Sequence, residues 1–563
     1  MVDPNLQALI NDLSLEKLCW VLRQYYHIFK VVVRRLTETY VHRLDYIDIV
    51  VIWSVILIVA LYVLRKICYM TSAEYKQNCK RRAVKVLKNL PIVKGKIRSE
   101  FAKIEAEINK STDATRSSKF YHIPTKGMKS GTVKEKIEAA LKREKDNFRD
   151  HKVHGTLYYN DKKDVVNLVK DVCKDFLYHN PLHYDSFPTA TQMEAEVINM
   201  TANLYHGGKT ACGITTSGGT ESILMAILTY RDWARDTKGI KTPELVAPAS
   251  AHVAFEKACH YFGIKYVTID VNPKTGLPAM GDIKAAINKN TIALVASCPS
   301  FPYGAVDDVR RFANLALRNK IGLHVDCCLG GFMAPFAKDN GINIPAFDFQ
   351  VPGVTTISVD HHKFGQAPKG ISVLLFREKS LRKYAIYATA KWTGGIYATP
   401  TMAGSRSAAP IAGAWAAMMY YGYEGYVAQA KAVSEAAAKL VAGIKEQIPE
   451  LRVIGDPKLS LVAFASNRRG LDIYSVYDKL TKKGWKLGAV QKPAGINLSI
   501  TPFNAGTIED LINDLKVAVK EVLANPREKK SGMAVIYGTA QSMPAQFVEE
   551  GAKIAIEAIL NLI

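Results

Sequence analysis

From about residue 201 onward, short β-branched runs alternate with helix-period stretches. Seven runs stand out: 212–216, 245–247, 266–271, 292–297, 323–326, 355–359 and 372–376. Between most of them, apolar residues recur with a period near 3.6, as over 221–237, 255–262 and 306–319. Strands that are apolar along their whole length are covered on both faces, and strand–helix alternation supplies the covering helices. The pattern predicts an α/β fold: a large seven-stranded, mostly parallel sheet with helices on both faces. An Ala- and Met-rich stretch over 410–425 predicts a linking helix. Beyond it, a helical pattern over 428–447, strand patterns near 461–465 and 496–501, and a helical pattern over 508–523 predict a smaller C-terminal α/β domain. No internal repeat or low-complexity tract interrupts this order.

A different pattern occurs near the start. Ile49 to Leu64 is free of charge and is interrupted only by Ser54. Extended to Tyr46 it reaches the roughly 17–25 residues needed to span a bilayer, and Arg65-Lys66 closes it. A cleaved signal peptide would begin nearer Met1 and end in a small-residue cleavage site. The expectation is therefore a transmembrane helix. More Lys and Arg follow the span than precede it, which puts the C-terminal side in the cytosol. The predicted organisation is a lumenal segment over 1–45, a span over 46–64, a basic linker with a helical segment over 65–165, a large domain over 166–409, a small domain over 410–530 and a tail over 531–563.

Composition adds two points. The net charge is +23, from 75 Lys and Arg against 52 Asp and Glu. Part of this excess is local: residues 65–100 hold 11 basic side chains and only Glu74 and Glu100 as acids. Such a balance suits an anionic membrane surface or a phosphorylated substrate. No aromatic-interleaved basic motif points to nucleic acid. The nine cysteines include no CxxC pair, so neither a disulfide framework nor a metal site is expected, and a reducing compartment fits.

The chemistry centres on Ser358-Val359-Asp360-His361-His362-Lys363-Phe364-Gly365. A lysine at the end of a buried strand, flanked by polar groups, suits a Schiff base with an aldehyde cofactor such as pyridoxal 5'-phosphate (PLP). The other partners of that cofactor follow in order. The run Thr215-Thr216-Ser217-Gly218-Gly219-Thr220-Glu221-Ser222 leaves the first strand and opens a helix, a cradle for phosphate. His252 follows the second strand and is placed to stack on the ring. Asp326 ends the fifth strand, where such sheets place ligands, and is placed to keep the ring nitrogen protonated. Lys363 comes 37 residues later. Each signal is ordinary alone; the ordered set, every member at a predicted strand end, is specific.

With these go Asn180-Pro181-Leu182-His183, Met193-Glu194-Ala195-Glu196, His324-Val325-Asp326, Leu329-Gly330-Gly331-Phe332, Ala367-Pro368-Lys369-Gly370, Gly394-Gly395-Ile396-Tyr397-Ala398, Ala403-Gly404-Ser405-Arg406 and Ile536-Tyr537-Gly538. On these motifs the chain resembles the group II decarboxylase superfamily of fold-type I PLP enzymes and, more narrowly, the sphingosine-1-phosphate lyases. The resemblance covers roughly residues 90 to 540. It implies that Lys363 carries PLP, that Asp326 pairs the ring nitrogen, that His252 stacks on the ring, and that Gly219, Thr220 and His362 hold the cofactor phosphate. It further implies that Tyr158, Asn180 and His183 face the substrate and that Lys369 and Tyr397 sit near the reacting centre, Tyr397 across a homodimer interface.

The implied reaction is retro-aldol cleavage of a phosphorylated sphingoid base between C2 and C3, giving a long-chain aldehyde and phosphoethanolamine. Lys369, Tyr397, Lys363 and the cofactor phosphate all compete for the role of base. The implied location is the endoplasmic reticulum membrane, with the catalytic domain facing the cytosol. Rival expectations are an amino-acid decarboxylase on the same fold and an inactive membrane scaffold. Four places depart from the family pattern: His361, Gln366, Cys327 and the pair Thr156-Leu157.

Overall fold

The computed structural model describes residues 123–146, 148, 150–159, 162–526, 528, 532–534, 537 and 545–560. The predicted span over 46–64 and the basic stretch after it lie outside these residues. No helix among the described residues is long and apolar enough to cross a membrane. Residues 122–543 form one compact unit. Helix Ala545–Leu560 lies outside that unit.

Among the described residues, three helices precede the large sheet: α1 (Ser130–Asp146), α2 (Lys163–Asp175) and α3 (Pro188–Leu204). The sheet itself is built from β1 (Cys212–Thr216), β2 (Glu244–Pro248), β3 (Lys265–Ile269), β4 (Thr291–Ser297), β5 (Gly322–Asp326), β6 (Thr356–Val359) and β7 (Ser372–Phe376). Its spatial order is β1-β7-β6-β5-β4-β2-β3. The pairs β2–β3, β2–β4, β4–β5 and β5–β6 are parallel, while β7 runs antiparallel to both of its neighbours. All seven predicted strands are present, and the sheet is mostly parallel as expected.

The connecting helices are α4 (Gly219–Lys238), α5 (Ala254–Phe262), α6 (Met280–Ala286) and α7 (Val309–Asn319). Helix α7 shows why such segments fold. Asp308 accepts the Arg311 amide at its start, and Val309, Phe312, Ala313 and Ala316 bury one stripe. In the strands, successive side chains go to opposite faces. Ala293 and Val295 of β4 join Leu374 and Phe376 of β7 under α4 and α5. Leu294 and Ala296 join Val373 and Leu375 on the face that carries Phe312 of α7. Each such fully buried aliphatic or aromatic side chain stabilises the fold by about 1.5–3 kcal/mol.

A short hairpin follows, β8 (Tyr387–Thr389) with β9 (Tyr397–Thr399). Helix α8 then spans Ala409–Gln447 in two stretches joined at a kink. The helical stretches expected over 410–425 and 428–447 are both present, and the break between them falls at Gly422, whose φ of 55° and ψ of −172° no helix interior adopts. Its Gly413 packs on Cys173 of α2 and its Gly443 on Ile512, so one helix serves both the large sheet's flank and the C-terminal layer.

That layer holds β10 (Leu451–Val453), β11 (Leu461–Ser466), β12 (Gly488–Val490) and β13 (Gly495–Ser499) in the antiparallel order β10-β11-β13-β12. Helices α9 (Ile473–Lys482) and α10 (Ile508–Ala524) pack with it. The periodicity located β11, β13 and α10. The three-residue strands β10 and β12 and the hairpin β8–β9 are too short to show a period.

Candidate active site

The carboxyl ends of β5 and β6 place Asp326 and the run from Asp360 to Lys363 side by side. The register pairs Asp326 with Ser358, and Asp360 is the first residue past β6. The Lys363 ammonium lies 2.9 Å from Asp360 Oδ2, and His362 Nε2 is 3.4 Å from the same oxygen. Asp360 is 2% exposed. Burial alone would protonate it, but Lys363 and His362 reverse that effect and hold its pKa well below the ordinary carboxylate range. Burial likewise works against a charged Lys363, and the Asp360 carboxylate overrides it, so the lysine pKa is raised. Sequence reasoning quoted Asp360 without giving it a role. The signal available was its spacing, three residues before the lysine off a strand end.

Asp360 Oδ1 is buried and has no hydrogen-bond partner among the described residues. Gly219, at the first turn of α4, packs directly above it. A Cβ there would come within 2.8 Å of Asp360 Oδ1 and 2.7 Å of Cys328 Sγ, so only glycine lets the helix start so close. Gly218 before it has φ 154° and would press a Cβ to 3.0 Å from His362 Cε1. The amides of a helix N-terminus thus meet a lysine, a histidine and an orphaned carboxylate oxygen. This donor set fits a phosphorylated aldehyde: amides for the phosphate, an amine for the aldehyde. Thr220 is exposed at the same helix end.

Asp326 is 7% exposed. Its Oδ1 accepts the Cys328 amide at 3.0 Å and lies 3.4 Å from Ser358 Oγ. His252 stands just ahead of α5, where Nδ1 accepts the Ala254 amide at 3.1 Å. Burial lowers its pKa, with Asp326 and Asp360 pulling the other way and Lys363 adding to the fall. The neutral ring therefore carries its proton on Nε2 and faces the field of Asp326, Lys363 and Asp360.

Tyr158 also joins the cluster. It is 6% exposed, and its ring meets Phe364 edge-on at 5.1 Å. Burial raises its pKa, against Lys363, so the phenol stays protonated. Lys369 lies 4.9 Å over the Tyr158 ring and donates to the His362 carbonyl at 3.3 Å. Partial burial of its ammonium and then the charge of Lys363 lower its pKa, against Asp360.

Three predicted residues stand apart from this cluster within the single chain. Asn180 Oδ1 accepts the amides of Leu182 and Arg406, both at 3.2 Å, which ties two connections together. His183 is exposed in the turn before α3. Tyr397 is on β9, with its ring edge-on to Trp392 and its hydroxyl against Gly404.

The departures have local explanations. Gln366 is buried at φ 62° and donates from Nε2 to the Tyr158 carbonyl at 2.6 Å, so it holds the segment that carries Tyr158. His361 is buried, with Nε2 2.8 Å from Thr201 Oγ1, and burial lowers its pKa to about 4. Cys327 is buried and its thiol pKa is raised by burial and by Cys298. Thr156 is exposed and its hydroxyl donates to the His154 carbonyl at 2.8 Å. A cavity of about 550 Å³ adjoins the phosphate loop, lined by Thr216, Ser217, Gly370, Arg406, Ser407 and Pro410 among others. Its Arg406 is held by Glu194 at 2.7 Å and Thr215 at 2.6 Å.

A mostly parallel sheet presenting lysine and carboxylates at its carboxyl edge, beside a glycine-led helix start, defines a PLP-dependent enzyme of the decarboxylase superfamily. Residues 119–467 match the family model of the pyridoxal-dependent decarboxylase conserved domain. Glutamate decarboxylase of Lactobacillus brevis shares this fold at 20% identity, with a TM-score of 0.63 over 76% of this chain and 99% of that one. The chain belongs, more narrowly, to the sphingosine-1-phosphate lyase family. It is 39% identical to the sphingosine-1-phosphate lyase of Drosophila melanogaster over 506 residues, 88% of this chain and 92% of the relative. Sphingosine-1-phosphate lyase 1 of Mus musculus is 40% identical over 82% of this chain and 81% of its own length. The solved structure of a sphingosine-1-phosphate lyase from Burkholderia pseudomallei is 36% identical, with a TM-score of 0.70 over 74% of this chain and 99% of that one.

Proposed function

We propose that this chain is a PLP-dependent carbon–carbon lyase that splits phosphorylated sphingoid bases between C2 and C3, giving a long-chain aldehyde and phosphoethanolamine. The observation that carries the reading is the Lys363–Asp360 pair at 2.9 Å, beside Asp326, in a chain about 40% identical to sphingosine-1-phosphate lyases. When bound, PLP supplies an electron sink for the bond being broken.

The chain's own residues supply the rest. Lys363 is the covalent anchor, stored as an ammonium by Asp360 until the cofactor enters. With PLP bound, Asp326 would pair the ring nitrogen, His252 would cover the ring, and Gly219, Thr220 and His362 would hold the phosphate. Lys369 is the group best placed to take the proton of the substrate's C3 hydroxyl. Its pKa is already lowered, and it faces the neutral phenol of Tyr158, which orients that hydroxyl. Tyr397, Asn180 and His183 complete the site in a homodimer. A span over 46–64 anchors the enzyme in the endoplasmic reticulum membrane, with the catalytic unit in the cytosol where the lipid phosphate lies. The excess of Lys and Arg after that span supports this orientation.

Product analysis tests the reading. The full chain with PLP should release aldehyde from a sphingoid phosphate, and Lys363→Ala should not. Release of carbon dioxide from amino acids without aldehyde release would overturn it.

A further inference from the structure

A line of buried hydroxyls and one imidazole runs beneath the sheet's edge and ends on Asp326. It starts at Tyr230 of α4, which lies flat on Gly322, where a Cβ would come within 2.2 Å of the ring. The Tyr230 hydroxyl is 2.7 Å from Thr355 Oγ1 and 2.6 Å from Thr356 Oγ1. Thr356 Oγ1 is 2.8 Å from His324 Nδ1, and His324 Nε2 is 3.1 Å from Ser358 Oγ. Ser358 Oγ in turn lies 3.4 Å from Asp326 Oδ1. The Cys328 thiol, 3.2 Å from Ser358 Oγ, is a second donor to that hydroxyl. Tyr230, His324, Thr356 and Ser358 are all 0% exposed.

The register of the sheet builds this line. His324 pairs with Thr356 and Asp326 with Ser358, and residues two apart on a strand share a face. Its direction follows from its end. A carboxylate only accepts, so Ser358 donates to Asp326 and accepts from His324 Nε2–H. Nδ1 then accepts from Thr356 and Thr356 from Tyr230, while the Thr355 hydroxyl donates to the Leu323 carbonyl at 3.0 Å. Burial lowers the His324 pKa to about 4, so the imidazole is neutral and has one donor and one acceptor, as the line needs. The Phe255 ring, edge-on at 5.5 Å, keeps it in plane.

We propose that His324, acting through Ser358, is a positioning residue for Asp326, holding its carboxylate in the orientation and charge state that pair the ring nitrogen of PLP. The proposal rests on the reading of Asp326 as that nitrogen's partner. Buried hydrogen-bond chains polarise one another, so a neutral group two bonds away bears on the carboxylate's field. Outer partners of this kind set the strength of the groups they touch.

The test uses the full chain with Ser358→Ala as the lead variant, because it removes one oxygen and little volume. His324→Phe and His324→Gln accompany it. The measurements are PLP affinity by equilibrium dialysis, the visible absorption band of the bound cofactor, and the melting temperature without PLP. Loss of one hydrogen bond to a charged group predicts roughly tenfold weaker PLP binding in Ser358→Ala, and loss of the donor that orients Ser358 predicts a weakening in the same direction in His324→Phe. A shifted band should accompany this loss, with kcat falling more than KM. His324→Gln keeps one donor and should recover most of the affinity. If Ser358→Ala and His324→Phe bind PLP as the native chain does, with the same band, while Asp326→Asn loses it, the inference falls and the reading of Asp326 stands. If Asp326→Asn also binds PLP unchanged, both fall. A loss of affinity matched by a fall in melting temperature, with no recovery in His324→Gln, would mark a packing role only and would also overturn it.

Discussion

The strand-end cluster and the loop-borne rim of the site differ in what fixes them. Lys363, Asp360, His362 and Asp326 leave β5 and β6, whose register is set residue by residue through His324–Thr356, Val325–Ile357 and Asp326–Ser358. Asn180 and His183 ride on connections and Tyr397 on the short hairpin β8–β9, and one chain does not gather them around Lys363. Buried sheet register resists slipping, since a one-residue shift turns every side chain to the wrong face. A connection has no such constraint and takes its position from whatever packs on it. In the single chain the strand-end residues therefore lie together, whereas Asn180, His183 and Tyr397 stand apart from them.

The largest effect should come from the cluster's centre. Lys363→Ala removes the covalent anchor and should lower aldehyde release on the order of 10³-fold or more, with the fold unchanged by circular dichroism. A residual rate within tenfold of native would place the anchor elsewhere.

Acid should act next, through buried imidazoles in the large sheet and against the C-terminal layer. His154, His324 and His361 have pKa values lowered by burial to about 4 from 6.5. Between these values the unfolded chain binds more protons, so stability rises with pH across about 4 to 6.5. Asp307 opposes this, because burial raises its pKa from 3.8 to about 7 and the folded chain holds its proton. Three protons against one leave a slope of roughly 2.7 kcal/mol per pH unit near pH 5. The urea midpoint, followed against pH, should fall steeply from pH 6.5 to 4.5, and a flat profile would contradict neutral buried imidazoles.

Asp360→Asn should cost about 3 kcal/mol in the cofactor-free protein, the low end for breaking a buried pair, since the Lys363 side chain retains 23% exposure. Chemical unfolding without PLP reads this directly. An unchanged midpoint would mean that the pair is no firmer than a surface contact.

The rim gives the smallest effects, and they sharpen the contrast. Gln366→Leu removes the bond to the Tyr158 carbonyl and should cost about 1 kcal/mol. Its signature should be a raised KM for the sphingoid phosphate with PLP affinity unchanged. Asn180→Ala should show a similar small loss of stability through Leu182 and Arg406. A large fall in kcat for Asn180→Ala would instead place it at the reacting centre.

The same contrast explains what the sequence disclosed. Six of the seven strands are buried along their whole length and showed as short β-branched runs, and the part-exposed edge strand β3 showed by the same β-branched composition. Lys363, Asp326, His252 and Gly219 were legible because a strand end or helix start marks each of them. Asp360 was overlooked because an acid three residues before a lysine also occurs on any solvated turn; only its burial distinguishes it. His324 and Ser358 were hidden for another reason: polar residues inside strands announce no partner until the register is known. The three-residue strands β10 and β12 are set by tertiary packing, beyond the reach of local periodicity.

The antiparallel strand β7 has one further consequence. Parallel neighbours would carry the chain away from the edge after Lys363, but β7 begins at that same edge, with Val359 facing Val373 across the pair. Residues 360–371 are thus a loop anchored at both ends on adjacent strands. The configurational freedom of the lysine's backbone is lost when the sheet forms, and little remains to be lost when a ligand arrives. Binding at Lys363 should accordingly show a small entropic penalty by calorimetry, with the ordering cost confined to the rim.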